Sequence, residues 1–345
     1  MKKMLITLLL FIPLRINAIT VSSNNAILYD AESNRILFQK NINQKHLIAS
    51  TTKIMTSVIA IESGRLDDIV LVNESVLKSY GSGIYIKPGE KITLRNLVYG
   101  LMLRSGNDAA LMIEEYLGGH DKFIDLMNKK AKEIGMTNTI FENSNGLDES
   151  GEENYSTCYD MALLMKYAIN LYDFREITGT KKIDVKTNKN YYSWINKNKL
   201  LFNYKYAISG KTGYTKKSKR ILVTSAFKDD ITLIVVTFVD KDDFNTHKKL
   251  YEYGFNNYKK YLIINKNKLK IKKHKNYYVK KNYYYLLKNN EKKNIKTNVI
   301  LYKKRYKNKV GYIEVLINDI IIHKENLYIK NNINNKKSIK NLFKF

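Results

Sequence analysis

The sequence predicts an α+β fold: an antiparallel sheet flanked by helices, followed by a small β-rich C-terminal domain. Three observations predict it. β-rich hairpin patterns occur at Ala26–Gln39 and again at Arg220–Phe238, bracketing a long middle with helical periodicity. A sheet built from both ends of such a segment, with the helices packed on it, buries the apolar face of each. After Tyr253-Gly254-Phe255 the texture changes to short Ile/Tyr/Val runs between lysine and asparagine clusters, as far as Gly311–Ile322.

Taken in order, Met1-Lys2-Lys3 is a positive start and Met4–Leu14 an apolar run too short to span a bilayer. Ile16-Asn17-Ala18 ends on a small residue. This is the pattern of a secretory signal peptide cut after Ala18. Ala26–Gln39 carries A-I-L-Y-D and R-I-L-F-Q around the polar turn Ala31-Glu32-Ser33-Asn34. Ser50–Ser63 reads as the first core helix, closed by Gly64. Tyr80–Glu90, with Gly81, Gly83, Pro88 and Gly89, reads as a loop. Helical periodicity returns at Leu94–Leu103, Asp108–Leu117, Asp121–Ile134 and Tyr159–Ile169, with a turn at Asn143–Gly146. Tyr206–Ser209 leads into Gly210-Lys211-Thr212-Gly213-Tyr214, and Arg220–Phe227 and Ile231–Phe238 form a hairpin around Lys228-Asp229-Asp230. The expected organisation is a signal peptide at 1–18, a main domain at 19–255, a small β-rich domain at 256–325 and a basic linker and tail at 326–345. Asn331–Lys337 is the polar linker and Ser338–Phe345 the basic-apolar tail.

With 345 residues, two prolines and 44% hydrophobic residues, the chain is long and apolar enough to fold. The single cysteine, Cys158, excludes an intramolecular disulfide. Net charge is +28, and its location decides its meaning. Asn256–Phe345 holds 25 Lys and Arg against 4 Asp and Glu, so +21 of the charge lies in the last 90 residues. For an exported chain, anionic lipid head groups and wall polymers are the first anions met, so nucleic-acid binding is the weaker reading.

The chemistry starts at Ile48–Met55. Ser50 stands three residues ahead of Lys53, so on a helix the two side chains share a face. A hydroxyl becomes a nucleophile when a base takes its proton, and burial lowers a lysine's pKa enough to make it that base. Ser-x-x-Lys also arises at Ser75–Lys78, and Ser-x-Asn at Ser22–Asn24 and Ser23–Asn25, so each motif alone is cheap. The order Ser50-Thr51-Thr52-Lys53, Ser105-Gly106-Asn107, Lys211-Thr212-Gly213 is not. It places the three on a helix start, an interhelix loop and an edge strand.

This combination resembles the penicillin-recognising serine acyltransferases, and within them the D-alanyl-D-alanine carboxypeptidases of low molecular mass. The residues carrying the resemblance are Ala49–Thr56, Leu101–Ala110, Tyr155–Leu164 and Gly210–Lys217, within about Ala26–Phe255. The resemblance implies a β-lactamase/transpeptidase-like fold, a peptidoglycan stem peptide as substrate, β-lactams as covalent inhibitors, and no metal or cofactor. It implies that Ser50 attacks the penultimate D-Ala carbonyl, Lys53 is its base, and Ser105 relays the proton to the leaving D-Ala. Asn107 would hold the substrate amide, and Lys211, Thr212 and Thr215 would face the terminal carboxylate, with Gly213 between them. The backbone N–H groups of Ser50 and Tyr214 would make the oxyanion hole. It also implies export, to the extracytoplasmic face of the membrane or the periplasm.

Two positions depart from the family pattern: Asn145, where many relatives have a histidine before Gly-Leu, and Lys219, where glycine is common. The histidines His46, His120, His247, His274 and His323 are scattered without zinc-ligand spacing and are expected to be solvated or structural. A β-lactamase would need a glutamate-positioned water, and Glu142, Glu149, Glu152 and Glu153 occupy the interval without the expected context. A DD-endopeptidase would use the same residues, and a wall- or membrane-binding scaffold would use only the basic C-terminus.

Overall fold

A computed structural model describes residues 19–148, 151–267, 269, 271 and 277–330. The expected signal peptide, Glu149, His274, the linker Asn331–Lys337 and the tail Ser338–Phe345 lie outside the described residues.

The central sheet has five antiparallel strands in the order Ile36–Lys40, Asn25–Asp30, Ile231–Phe238, Lys219–Lys228, Ala207–Thr215. The N-terminal hairpin and the late hairpin thus join into one sheet, with the Lys211-Thr212-Gly213 strand at its edge. Both faces are covered, which is why the strands read as nearly continuous apolar runs. Ile27, Tyr29, Ile221, Val223, Ile234 and Val236 face the large core with the helices Lys53–Glu62, Asn107–Tyr116 and Cys158–Ala168. The alternate residues Leu28, Leu222, Leu233 and Val235 face the other way, onto Leu250 and Tyr251 of the helix Asp243–Asn257.

The sequence pattern misses that last helix, which runs two residues past Phe255. Its buried stripe is Asp243, Thr246, His247, Leu250, Tyr251 and Gly254. The 3.6-residue period is intact, but half of the stripe is polar and invisible to a hydrophobicity count. His247 bridges Thr224 and Thr237 at 2.7 and 3.0 Å, and burial pushes its pKa down to about 3, so it stays neutral. The helix Tyr172–Gly179 and the hairpin Lys182–Lys186/Tyr191–Ile195 also go unmarked in the sequence pattern.

Two expected helices differ in detail. Ser50 sits in a 3-10 turn, Ala49–Thr52, and the α-helix begins at Lys53. Thr51 drives the tighter turn: both its N–H and its hydroxyl bond back to the Ile48 carbonyl, at 3.1 and 2.5 Å. The expected Leu94–Leu103 helix is α-helical only to Tyr99, then widens into a π turn at Gly100–Arg104. The turn ends on Ser105 in the left-handed region, φ 64°.

Beyond Tyr258, strand Lys259–Ile264 pairs with Tyr283–Leu287, and a four-stranded sheet follows in the order Tyr277–Tyr278, Ile320–Ile329, Lys309–Ile317, Ile295–Tyr306. Residues 326–329 belong to this sheet rather than to the linker expected from residue 326. Ile264, Val279, Val310, Ile313, Val315 and Leu327 form its own core. Arg35 joins it to the N-terminal hairpin: its guanidinium grips Glu291 through two bonds of 2.9 and 2.7 Å and donates to the Leu286 carbonyl at 2.5 Å. Among the described residues no helix is long and apolar enough to cross a membrane.

Candidate active site

The three motifs meet where the 3-10 turn carrying Ser50 packs against the edge strand Ala207–Thr215. The strand comes so close that a Cβ on Gly213 would lie 3.2 Å from both the Ile48 oxygen and the Thr51 nitrogen. The third side of the cleft is the π turn and the start of helix Asn107–Tyr116, which present Ser105 and Asn107.

Lys53 is fully buried. Its Nζ donates to Ser50 Oγ at 3.2 Å, to Asn107 Oδ1 at 2.7 Å and to the Asn145 carbonyl. Burial pushes its pKa well below the ordinary lysine value, and the positive charges of Lys211 and Lys197 push it further the same way. Once deprotonated, Lys53 Nζ turns a lone pair instead of a proton toward the Ser50 hydroxyl and is a base in reach of it.

Lys211 faces it across the cleft, buried to 1% exposure, and donates to Ser105 Oγ at 3.0 Å and to the Thr212 carbonyl at 2.7 Å. Burial, then the charge of Lys197, lowers its pKa to about 7. Ser105 therefore touches Lys211, not Lys53, in the free protein. Asn107 is oriented by the Tyr80 carbonyl, which accepts from its Nδ2 at 2.7 Å. Asp108, next to it, accepts from Ile84 and Tyr85 N–H and so fixes the loop above the site. Tyr214 projects outward, 63% exposed. Thr215 does not stand free: its hydroxyl donates to Asp148 Oδ2 at 2.5 Å and lies 2.8 Å from Ser218 Oγ. Lys219, opposite Thr215, has φ 60°, a conformation costly for any residue with a Cβ and easy for glycine.

Residues 143–148 complete the site; the sequence marks a turn and a departure from the family pattern here, but not the contacts that the loop makes. Asn143 Oδ1 accepts from Gly146 N–H at 2.6 Å, Thr56 Oγ1 donates to the Ser144 carbonyl at 2.6 Å, and Asn154 Nδ2 ties Thr52 to Asn143. Gly146, at φ 82°, lies against the nucleophile turn so closely that a Cβ would sit 1.9 Å from the Ala49 oxygen. The departure at Asn145 is therefore harmless to the Lys53 contact, which uses a backbone carbonyl that any residue supplies. Backbone acceptors leave no sequence signal.

The other predicted groups lie elsewhere. Ser75 of the second Ser-x-x-Lys bonds the capping Asn73 at an exposed turn. Glu142 accepts from Glu153 N–H, and Glu153 pairs with Lys217 at 2.8 Å. Glu152 lies 4.0 Å from His120. His120 bonds Glu114 at 3.0 Å, and His323 stacks on Tyr283. Among the described residues no group of His, Cys, Asp and Glu could hold a metal ion.

Comparison with known proteins gives the family and the fold. The family profile described as D-alanyl-D-alanine carboxypeptidase matches residues 13–242, and one described as penicillin-binding protein 5, C-terminal domain, matches residues 247–335. The D-alanyl-D-alanine carboxypeptidase DacF of Bacillus subtilis is 32% identical over 279 residues, 77% of this chain and 71% of that protein. DacC of Escherichia coli is 35% identical over 256 residues, 70% of this chain and 63% of that protein. Among solved structures, the DacD carboxypeptidase of Francisella tularensis superposes with a TM-score of 0.73 at 26% identity, covering 91% of this chain and 94% of that one. Penicillin binding protein 5 of Haemophilus influenzae, at 24% identity, shares the fold with a TM-score of 0.79, over 92% of this chain and 98% of that one.

Proposed function

The chain belongs to the D-alanyl-D-alanine carboxypeptidase family, and from that premise we propose how its residues carry the reaction. The enzyme is a serine-type D-Ala-D-Ala carboxypeptidase acting on peptidoglycan stem peptides. The observation that carries the assignment of roles is the buried Lys53 Nζ at 3.2 Å from Ser50 Oγ. Lys53 takes the hydroxyl proton as Ser50 Oγ adds to the penultimate D-Ala carbonyl, and the N–H groups of Ser50 and Tyr214 hold the oxyanion. The C–N bond then breaks. The terminal D-Ala leaves with a proton delivered through Ser105, and water releases the acyl group. Asn107 aligns the substrate amide, while Lys211 and Thr212 receive the terminal carboxylate across the narrow Gly213 strand, and Thr215 joins them by turning its hydroxyl away from Asp148.

Intact mass of the chain from Ile19 with benzylpenicillin tests this. We expect one long-lived adduct, absent in Ser50→Ala. No adduct on folded protein removes Ser50 from the mechanism. A transient adduct with rapid loss of the drug turns the reading to a β-lactamase, which the engagement of Glu142 and Glu153 away from Ser50 disfavours.

Action outside the cytoplasm follows from the substrate. The basic C-terminal part, with +21 of the net charge after Phe255, is proposed to hold the enzyme against an anionic membrane surface, with nucleic acid no part of its function. The protein should sediment with vesicles containing anionic lipid at low salt and not with neutral ones. Equal recovery with both would remove the membrane from the proposal.

A further inference from the structure

Two cations beside the cleft have no part in the roles above. Lys197 N–H donates to the Leu103 carbonyl at 3.0 Å and Arg104 Nη1 to the Ile195 carbonyl at 3.3 Å, so the two residues clasp each other's segments. Arg104 directly precedes Ser105. Lys197 Nζ donates to Ser82 Oγ at 3.3 Å, and the Ser82 carbonyl accepts from Asn107 N–H at 2.7 Å. Lys197 therefore borders the Asn107 wall through Ser82, and Arg104 stands beside it through the Ile195 contact and its place before Ser105.

Neither reaches a carboxylate among the described residues, whereas Arg35, Arg65, Arg95 and Arg220 each do. Asp108, at the helix start beside Asn107, is turned onto the backbone N–H groups of Ile84, Tyr85 and Ala109. Each charge also disfavours the next. Desolvation and Arg104 lower the pKa of Lys197, and Lys197 in turn lowers those of Lys211 and Lys53. A row of cations without a counter-charge is an anion site in waiting. The terminal D-Ala carboxylate brings one negative charge, already met at the far strand.

We propose that Lys197 and Arg104 form a second carboxylate subsite, one that takes a free carboxylate on the acyl arm of the stem peptide. It rests on the carboxypeptidase reading and narrows the substrate to stems whose side carboxylates are free rather than amidated.

Two acyl-D-Ala-D-Ala peptides test it, identical except that one carries a carboxylate and the other a carboxamide a few residues before the D-Ala pair. The unaltered protein should favour the carboxylate by about 10-fold in kcat/KM, mainly through KM, and the preference should shrink as salt rises. Lys197→Met and Arg104→Met should each reduce the preference at least several-fold, and Lys197→Arg should keep most of it. Equal cleavage of both peptides by the unaltered protein overturns the subsite without any variant. Equal losses for both peptides in the variants also overturn it, because the cations would then serve the terminal carboxylate or the pKa values of Lys53 and Lys211. Failure of the unaltered protein to cleave either peptide, or to acylate with benzylpenicillin, would instead count against the carboxypeptidase reading.

Discussion

Replacing Lys53 by methionine should slow acylation of Ser50 by about 10³-fold or more while leaving the protein folded. Positioned bases contribute about 10²–10⁴, and groups acting as a unit cost more than that when one is removed. Methionine fills a similar volume, and it removes a buried cation whose charged form is penalised by its surroundings. The pH profile separates this from a structural effect. A base works once deprotonated, so acylation should rise as pH passes upward through the depressed pKa of Lys53. Loss of the Lys211 proton, near pH 7, acts against it, because the carboxylate site then loses its charge. The same depression has a linkage consequence of definite sign. The unfolded chain binds more protons at these two lysines than the folded one between their folded pKa values and the ordinary lysine value. Their contribution to stability therefore rises with pH through that window. Stopped-flow acylation across pH, with Lys53→Met beside the unaltered enzyme, is the measurement. An unchanged rising limb in the variant would assign the base elsewhere.

Gly146→Ala should cost both stability and nearly all acylation. The added Cβ would lie 1.9 Å from the Ala49 oxygen and 2.4 Å from its carbon, both backbone atoms of the turn that carries Ser50. Neither side can yield by rotating a side chain, so the loop or the nucleophile must move. Gly64→Ala is the matched control: its φ of 69° resembles the 82° of Gly146, but nothing lies within 4 Å of the new atom. The control should lose about 1 kcal/mol from backbone strain alone. Gly146→Ala should lose about 3 kcal/mol or more in urea unfolding and nearly all acylation. Similar midpoints for the two variants, with penicillin binding intact, would show that the loop is not braced against Ser50.

The side chains proposed to do the chemistry were legible because their spacing is itself the signal: Ser50 three residues before Lys53, Ser105 and Asn107 between two helices, Lys211 on an edge strand. The hairpins at both ends of the main sheet were legible too, through runs such as Ile231–Phe238 that only a covered strand would carry. What stayed hidden is of three kinds. The carbonyls of Asn145 and Tyr80, which hold Lys53 and Asn107, belong to backbone and leave no trace in residue type. The helix Asp243–Asn257 hides because it buries Asp243, Thr246 and His247, whose hydrogen bonds compensate a polarity that sequence patterns read as exposure. Asp148 and Lys197 belong to a third group, ordinary charged residues whose importance comes from long-range neighbours.

The sheet order also governs when the enzyme becomes an enzyme. Strand Asn25–Asp30 finds its inner partner only in Ile231–Phe238, Asn25 lying opposite Phe238. The nucleophile turn is seated by Gly213, on a strand that joins the sheet through Lys219–Lys228. Closing so long a loop costs entropy before any pairing rewards it, so sheet assembly is a late and slow event. A chain emerging from its amino end keeps an unpaired first strand, and an unseated serine, until residue 238 is out. Until then no part of the site can close around Ser50, because the strand that carries Lys211 and Gly213 is itself unpaired.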